Sequence, residues 1–296
     1  MTISRYCSKV TMPAAEKPYP SILDFLTRRF PRVLHTVWQQ RIQEGKVLDD
    51  DGNPITADTE YKPLKRIFYF REVKQERVIP FTEGIIFQND DLVVACKPHF
   101  LPVTPSGPYV TECLLNRLRK STGNHDLVPI HRIDRETAGI VMFSANRKTR
   151  SLYNEIFVNG KVEKLYHAVS KCNHDPETTE WSIENRIVTG EPWFIMKIEP
   201  GDSNSRSIIR LVERKGDLAR FHLVPLTGKT HQLRLHMSSL GFKILNDRYY
   251  PELTPETDDD FSSPLQLIAK KVRFTDPVTG TPMEFTSERE LQWCPL

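Results

Sequence analysis

The sequence predicts an α+β protein built on a mixed, mainly antiparallel sheet. Apolar runs rich in β-branched residues recur from residue 80 onward and are interrupted by few segments with helical spacing. The connections between these runs are too short for regular βαβ crossovers, which excludes a wholly parallel sheet. The chain has 296 residues, 39% of them hydrophobic, so it can bury a sizeable core and favours one large domain beside a small one.

Residues 17–75 predict a small helical domain, and residues 1–16 predict a loosely ordered lead-in without clear periodicity. Ser21, three residues before Asp24, is typical of an N-cap, and apolar residues then follow at helical spacing. Pro31 ends this helix because proline cannot continue it.

A second helix is predicted by a capping pattern at Thr36 and Gln39, and Gly45 closes it before a short strand. Five basic residues lie on or beside the two helices, namely Arg28, Arg29, Arg32, Arg41 and Lys46. Two short helices followed by a hairpin resemble the small RNA-binding domain called S4-like, or α-L. That resemblance implies that Arg28, Arg29 and Arg41 bind RNA backbone, and a solvated helix face is the alternative.

The large domain is predicted over residues 80–296. Two β-rich runs at 84–88 and 92–97 flank an Asn-Asp-Asp turn and predict a hairpin. Helical spacing marks 111–120 and 148–157. The remaining predicted strands are 162–170, 182–188, 194–198, 219–225, 265–274 and 282–285.

The stretch 131–139 predicts a tight turn that enters a buried strand. Within it, Asp134 lies between Arg132 and Arg135, and guanidinium charge nearby favours the ionised carboxylate. An ionised carboxylate suits a nucleophile better than a proton donor. The alternative is an ordinary salt-bridged surface turn.

Residues 228–230 read Gly-Lys-Thr and imitate the end of a phosphate-binding loop, but Leu223 stands where that motif needs glycine, so we expect no nucleotide cofactor. His231 and His236 are spaced so that they share neither a helix face nor a strand face, which argues against a metal pair. A short helix over about 230–240 would instead place His231 and Arg234 on one face.

Four stretches, in order along the chain, resemble the RluA-type pseudouridine synthases. Residues 131–139, HRIDRETAG, look like the H-R-L-D-x-x-T-S-G signature of that family. Residues 90–98 resemble its "d-d-l-l-v-v-n-K-P" strand, 164–169 its "K-x-Y-x-A" strand, and 227–236 its "T-G-R-T-H-Q-I-R-V-H" segment. The resemblance covers about residues 84–285.

The chain departs from the family pattern at several positions. Alanine replaces the serine of T-S-G at Ala138, and lysine replaces the arginine of T-G-R-T at Lys229. Ile268 stands where the family has histidine, and no glycine follows Lys97-Pro98. These departures concern substrate contacts and leave the aspartate in place.

The resemblance implies a pseudouridine synthase fold and isomerisation of uridine to pseudouridine in RNA, either ribosomal RNA of the 23S type or tRNA, without metal or organic cofactor. It implies that Asp134 is the nucleophile, that Arg234 pairs with it, and that Tyr166 stacks on the base and removes a proton or positions the group that does. Arg132 would fill the space of the base that leaves the stack. Further RNA contacts implied by the motifs are His131, Thr137, Lys97, His231 and Gln232.

Two other functions remain open from the residues alone. One is an RNA-binding protein of the same fold without activity, although Asp134, Tyr166 and Arg234 are all present. The other is a hydrolase of glycosidic bonds, which typically needs a second, acidic carboxyl group. Glu136 is a poor candidate for that group because Arg135 is adjacent to it.

The composition indicates which kind of partner and which cellular compartment to expect. The net charge of +3 is compatible with a polyanionic partner. The cysteines are odd in number, widely spaced and without a C-x-x-C pair, which favours unpaired thiols in a reducing compartment; they are Cys7, Cys96, Cys113, Cys172 and Cys294. No apolar run approaches a membrane span and no signal pattern begins the chain, so we expect a cytoplasmic protein. The oligomeric state stays open from the residues, and we expect a monomer.

Overall fold

The computed structural model describes residues 2–4, 6–14, 19–172, 176–254 and 261–292. The chain forms two compact units. Unit 1 comprises Met1–Arg77 and Ser106–Thr111, and unit 2 comprises Val78–Pro105 and Glu112–Leu296.

Unit 1 packs two helices on small antiparallel sheets. Its elements are β1 (Thr2–Ile3), β2 (Ser8–Thr11), α1 (Ile22–Arg29), α2 (His35–Gln43), β3 (Val47–Leu48), β4 (Arg66–Tyr69) and β5 (Glu72–Val73). The strand order is β2-β4-β3 in one sheet and β1-β5 in the other. Strands β1 and β2 therefore lie where the sequence predicted a loosely ordered lead-in, because β2 pairs with a distant strand that periodicity cannot reveal.

The two helix starts differ in how well the sequence predicted them. At α1, the backbone N–H of Asp24 donates to Ser21 Oγ at 3.1 Å, so the predicted N-cap is confirmed. At α2, the cap is Leu34, which contributes no side-chain hydrogen bond, and Thr36 lies inside the first turn. The capping-box prediction was therefore wrong for the second helix.

Unit 2 is built around one large sheet with three helices. Its elements are β6 (Gly84–Gln88), β7 (Leu92–Lys97), α3 (Leu114–Thr122), β8 (Val128–Pro129), β9 (Ala138–Ser144), α4 (Arg150–Val158), β10 (Glu163–Lys171), β11 (Glu180–Thr189), β12 (Met196–Glu199), β13 (Ser205–Lys215), β14 (Leu218–Pro225), α5 (Gln232–Ser239), β15 (Leu267–Thr275) and β16 (Pro282–Thr286).

The strand order is β12-β11-β13-β14-β10-β15-β9-β7-β6, with β16 on β15 and β8 on β9. Among the described residues, β9 with β15 is the one parallel pairing, and the other pairs in this sheet are antiparallel. The predicted α+β class with a mixed, mainly antiparallel sheet is confirmed. The predicted hairpin of β6 and β7 is also present.

Burial follows the strands of this sheet. Every residue of β7 and of β9 is buried, and one face of β10, β14 and β15 forms a core with α5. Both faces of β9 are thus covered, which explains its continuous apolar run. Within the part of the chain that the structure describes, no helix combines the length and apolarity needed to cross a bilayer.

The cysteines of the described ranges form no disulfide: Cys7 is exposed, and Cys96, Cys113 and Cys172 are buried. Cys294 lies outside the described residues.

Candidate active site

A row of paired residues crosses the centre of the sheet in unit 2. Lys97 of β7 pairs with Gly139 of β9. Gly139 pairs with Ala269 of β15, and Ala269 pairs with Tyr166 of β10. Gly139 has a φ of +108°, and a Cβ there would lie 2.7 Å from the backbone nitrogen of Ala269 and closer still to its carbonyl oxygen. Glycine alone permits this approach, which fixes the turn containing Asp134 near the strand that carries Tyr166.

Asp134 is the partly open carboxylate of this turn, with 24% of its side chain exposed. Arg234 Nη1 lies 3.6 Å from Asp134 Oδ2, and His231 Nε2 lies 4.0 Å from Oδ1. The Arg234 side chain is 1% exposed, so its charge acts on Asp134 with little screening by water. Asp134 therefore has a buried positive charge on one side, and its exposed side can meet a ligand.

A second carboxylate fixes Arg234. Arg234 Nε and Nη2 donate to Asp247 Oδ2 and Oδ1 at 2.8 and 2.6 Å. The Tyr249 ring lies over the guanidinium, with 4.5 Å between Cζ and the ring centroid. Burial lowers the pKa of Arg234, but the hydrogen bonds and charge of Asp247, together with the charge of Asp134, outweigh burial and raise it. Arg234 therefore stays charged.

His231 caps α5 with its backbone in the left-handed region, at a φ of +54°. Its Nδ1 and the Tyr250 hydroxyl form a hydrogen bond of 2.8 Å. The same hydroxyl accepts from the backbone N–H of Met196, so the hydroxyl proton is available to His231 Nδ1. Burial lowers the pKa of His231, and Asp134 opposes that effect only in part. Nε2 is the ring nitrogen that faces Asp134.

Tyr166 lies in β10, partly buried against the core that includes Leu223 and Leu233. The pairing of β10 with β15 shifts register between Leu165 and Tyr166, an irregularity of the kind that re-aims a side chain. Burial raises the pKa of Tyr166, and the charge of Asp134 raises it further. The phenol is therefore neutral at physiological pH.

Lys97 is fully buried, which corrects its interpretation as an RNA contact. Its Nζ donates to the carbonyl oxygens of Pro98 and Arg135 at 2.9 Å and of Leu101 at 2.6 Å. Burial lowers the pKa of Lys97 to about 7. Because Arg135 follows Asp134 directly, the hydrogen bond from Lys97 to the Arg135 carbonyl helps to position the turn that contains Asp134.

Three more residues predicted to contact RNA are engaged inside unit 2. His131 Nε2 accepts from the backbone N–H of Met142 at 3.1 Å, and its ring stacks on Phe157. Thr137 is 2% exposed and Gln232 is 3% exposed. The Gln232 amide binds the loop before α5 and the start of β13. These contacts support structural roles for the three side chains, and little of their surface is exposed to contact RNA.

Arg132 is exposed in the same turn, so it remains available to RNA. Glu136 differs, because it pairs with Arg135 at 2.8 Å and has only 14% of its side chain exposed. Burial raises the pKa of Glu136, but the charges of Arg135 and Arg234 outweigh burial and lower it. Glu136 is therefore unsuited to be the acid that a glycoside hydrolase requires.

The three arginines of unit 1 that the sequence predicted to bind RNA separate into two groups. Arg28 and Arg29, at the end of α1, are exposed. Arg41 is 8% exposed, lies over the Trp38 ring and pairs with Glu72 at 3.4 Å. The prediction of RNA binding is thus compatible with the placement of Arg28 and Arg29, whereas Arg41 is occupied within unit 1.

Sequence reasoning missed Asp247, Tyr249 and Tyr250. They follow α5 in a segment without periodicity, after the helix that the sequence predicted over about 230–240. An aspartate followed at short range by two tyrosines in an otherwise irregular stretch was the available signal. Nothing local shows that this aspartate meets Arg234.

The RNA pseudouridylate synthase family matches residues 91–239, which is half of the chain. This range contains the Asp134 turn, β10 and all of α5. The chain therefore belongs to the RNA pseudouridylate synthase family, a family of isomerases that act on RNA. Within that family it resembles the RluA-type enzymes.

The relatives agree with this assignment. The chain is 26% identical over 230 residues to an uncharacterised RNA pseudouridine synthase of Synechocystis, covering 77% of this chain and 79% of that protein. It is 28% identical over 215 residues to the dual-specificity RNA pseudouridine synthase RluA of Haemophilus influenzae, covering 70% and 93%. The structure of human RNA pseudouridylate synthase domain containing 1 has a TM-score of 0.59 at 22% identity, covering 73% and 86%, and shows the same fold. The S4-like character of unit 1 stays a prediction.

Proposed function

We propose that this protein isomerises specific uridines of ribosomal RNA (23S type) or tRNA to pseudouridine, with Asp134 as the nucleophile. The observation that carries the proposal is a partly exposed carboxylate, Asp134, paired at 3.6 Å with the buried, fixed guanidinium of Arg234. The relative from Haemophilus influenzae is named a dual-specificity enzyme, which supports testing both classes of RNA.

In the proposed reaction, the bond between N1 of uracil and C1′ of ribose breaks and a bond between C5 and C1′ forms. C5 loses a proton and N1 gains one, so the mass of the RNA does not change. Once uracil and ribose are separated, Asp134 acts either as a covalent nucleophile or as the charge that stabilises the ribose. The substrate supplies every atom of the product, and we propose no metal or organic cofactor.

Two neighbours support Asp134 in this proposal. Arg234 orients it, since the buried guanidinium charge acts on the carboxylate with little screening by water. Tyr166 offers a flat ring against which the flipped base can stack. Because its phenol is neutral, we assign Tyr166 the role of positioning the final proton transfer, and we do not assign it the role of a phenolate base.

Entry of the base requires that it leave its stack. Arg132 is exposed beside Asp134 and carries a planar guanidinium that can occupy the vacated space. We further propose that Arg28 and Arg29 of unit 1 bind RNA backbone. We also propose a cytoplasmic location and a monomeric state; widely spaced cysteines without a C-x-x-C pair support the location.

The experiment is carbodiimide mapping of pseudouridine in unmodified ribosomal RNA and tRNA after treatment with wild type, Asp134→Asn or Asp202→Asn. Asp202 is exposed in the loop before β13 and is the matched control. We expect one or a few new stops with wild type and Asp202→Asn and none with Asp134→Asn. RNA binding without any stop on either RNA would instead favour an inactive binding protein, and release of free uracil would indicate hydrolysis.

A further inference from the structure

We infer that Asp247 is a positioning residue of the reaction: it holds Nε and Nη2 of Arg234, so that Arg234 acts on Asp134 through charge and forms no hydrogen bond with it. This inference rests on the proposed function of Asp134. Asp247 is itself 3% exposed and does not reach the opening of the site.

The nitrogens of the Arg234 guanidinium face two different carboxylates. Its Nε and Nη2 are both used by Asp247, in a bidentate pair of which each side chain is 1% exposed. The remaining nitrogen, Nη1, is buried and has no hydrogen-bond partner among the described residues. It is this nitrogen that lies 3.6 Å from Asp134 Oδ2. That distance is longer than a charge-assisted hydrogen bond.

The consequence concerns the lone pairs of Asp134. A guanidinium free to rotate would form its own bidentate pair with Asp134 and occupy both carboxylate oxygens. With two of its nitrogens held by Asp247, Arg234 can stabilise the charge of Asp134 and still leave those oxygens available for attack. Asp247 thus prevents the tightest possible pairing of Asp134 and preserves its reactivity.

Asp247 also orders the other neighbours of Asp134. Its Oδ1 accepts from the backbone N–H groups of Tyr249 and Tyr250, at 2.8 and 3.2 Å. The Tyr249 ring covers the guanidinium, and the Tyr250 hydroxyl binds His231 Nδ1. The two groups that face Asp134 are therefore both arranged around one buried carboxylate.

The backbone beside Asp247 is anchored to the strand that carries Tyr166. The N–H of Leu245 donates to the carbonyl of Val169 in β10 at 2.9 Å, and Ile244 bridges to Ser170. The N–H of Asp247 donates to the carbonyl of Ile244 at 3.1 Å. Asp247 can therefore keep Arg234 in register with the strand that bears the base-stacking ring.

A purely structural ion pair would predict a different outcome. Buried salt bridges contribute little net stability compared with apolar replacements, and breaking one destabilises the fold. In that case the loss of activity in a variant would follow its unfolded fraction. A positioning role instead predicts a lower kcat in fully folded protein, with KM for RNA preserved, because Asp247 cannot touch the substrate.

The test compares Asp247→Asn with Asp276→Asn in the full chain. Asp276 is a matched control because it is equally buried, caps backbone N–H groups and accepts from Tyr153 Oη at 3.0 Å, with no arginine in that arrangement. At temperatures where circular dichroism shows both variants folded, we expect Asp247→Asn to lower kcat about a hundredfold with KM within about threefold. We expect Asp276→Asn to stay within about threefold in kcat. Wild-type kcat in folded Asp247→Asn would overturn the inference.

A double-mutant cycle shows whether Asp247 acts through Arg234. In an Arg234→Lys background, Asp247→Asn should cost little further activity, because the lysine no longer offers the bidentate geometry that Asp247 holds. Independent, additive losses of kcat would contradict the inference.

Hydrogen exchange at Arg234 Nε in arginine-labelled wild-type protein gives a readout that depends neither on activity nor on the folding of a variant. Slow exchange, compared with that of the half-exposed Arg206, is expected. Equally fast exchange would overturn the inference. If wild type makes no pseudouridine, the proposed function fails, while this measurement still decides whether Asp247 fixes Arg234.

Discussion

At the scale of single residues, the groups around Asp134 differ in charge and in access to solvent. Asp134 is 24% exposed, whereas Arg234 is 1% exposed and permanently charged. Tyr166 and His231 are neutral, because burial disfavours the phenolate and the imidazolium. The site thus places a partly exposed anion, Asp134, beside a buried cation, Arg234, and the nearby rings of Tyr166 and His231 are neutral.

The neutral state of Tyr166 predicts the pH dependence of the reaction. Burial and the charge of Asp134 both raise the pKa of Tyr166, so a phenolate should not form below about pH 10. We expect kcat not to rise between about pH 8 and about pH 10, and Tyr166→Phe to lower kcat without changing the shape of the profile. Steady-state rates on one target RNA across this range provide the check. A rise of about tenfold per pH unit that Tyr166→Phe abolishes would identify Tyr166 as the base.

At the scale of elements, the parallel contact of β9 with β15 joins the Asp134 turn to the rest of the sheet. This contact is short, involving Ala138 with Ile268 and Gly139 with Ala269. It therefore depends on the close approach at Gly139.

Gly139→Ala should break this junction. The new Cβ would meet the backbone of Ala269, and alanine disfavours a φ of +108°. We expect a loss of about 3 kcal/mol in the free energy of unfolding, measured by urea denaturation. Gly228→Ala is the control, since its Cβ would meet open space. Equal stability of the two variants would disprove the importance of the junction.

The helices of unit 1 make a different prediction, because exposed Arg28 and Arg29 lie on α1 and buried Arg41 lies on α2. Each RNA phosphate that the protein no longer neutralises should lower the slope of log affinity against log salt by about 0.7 for single-stranded RNA. Replacing Arg28 and Arg29 with alanine should therefore reduce the slope by about 1 to 2, measured by filter binding. Arg41→Ala should keep the slope and reduce stability, since it leaves Glu72 with one fewer partner. A larger slope change with Arg41→Ala would refute this assignment.

At the scale of the whole molecule, several histidines are held neutral inside a protein of nearly balanced charge. Burial lowers the pKa of His131 to about 3, with Lys164 adding to the effect, and burial lowers the pKa of His236 to about 4. Their ordinary value in the unfolded chain is about 6.5. Below about pH 6.5 these histidines bind protons in the unfolded chain but stay neutral in the folded chain.

The free energy of unfolding should consequently decrease as the pH falls below about 6.5. The contribution of these histidines is fully present above about pH 6.5 and is lost as the pH drops toward about 4, because the unfolded state then binds more protons. Urea denaturation at about pH 7 and about pH 5 should show the loss, and His131→Gln should make it smaller. His35→Gln, at an exposed position of α2, is the control. Unchanged stability between these pH values would contradict the buried neutral state.

The sequence alone determined the features that depend on neighbours along the chain. These include the α+β class, the Ser21 cap, the β6–β7 hairpin and the Asp134 turn with its buried strand. Each depends on periodicity, capping or a short motif, and these act over a few residues. The family motifs also pointed to Tyr166 and Arg234, although no local signal shows their distance from Asp134.

The tertiary structure decided which side chains share one environment. Lys97, a charged residue that the sequence assigned to RNA, is enclosed by three carbonyl groups, because strand pairing brings β7 beside β9. Asp247, which no pattern singled out, meets Arg234 because the segment after α5 folds back onto β10. Burial and partner choice depend on contacts between distant segments, and these contacts are a property of the folded sheet that short-range sequence patterns do not encode.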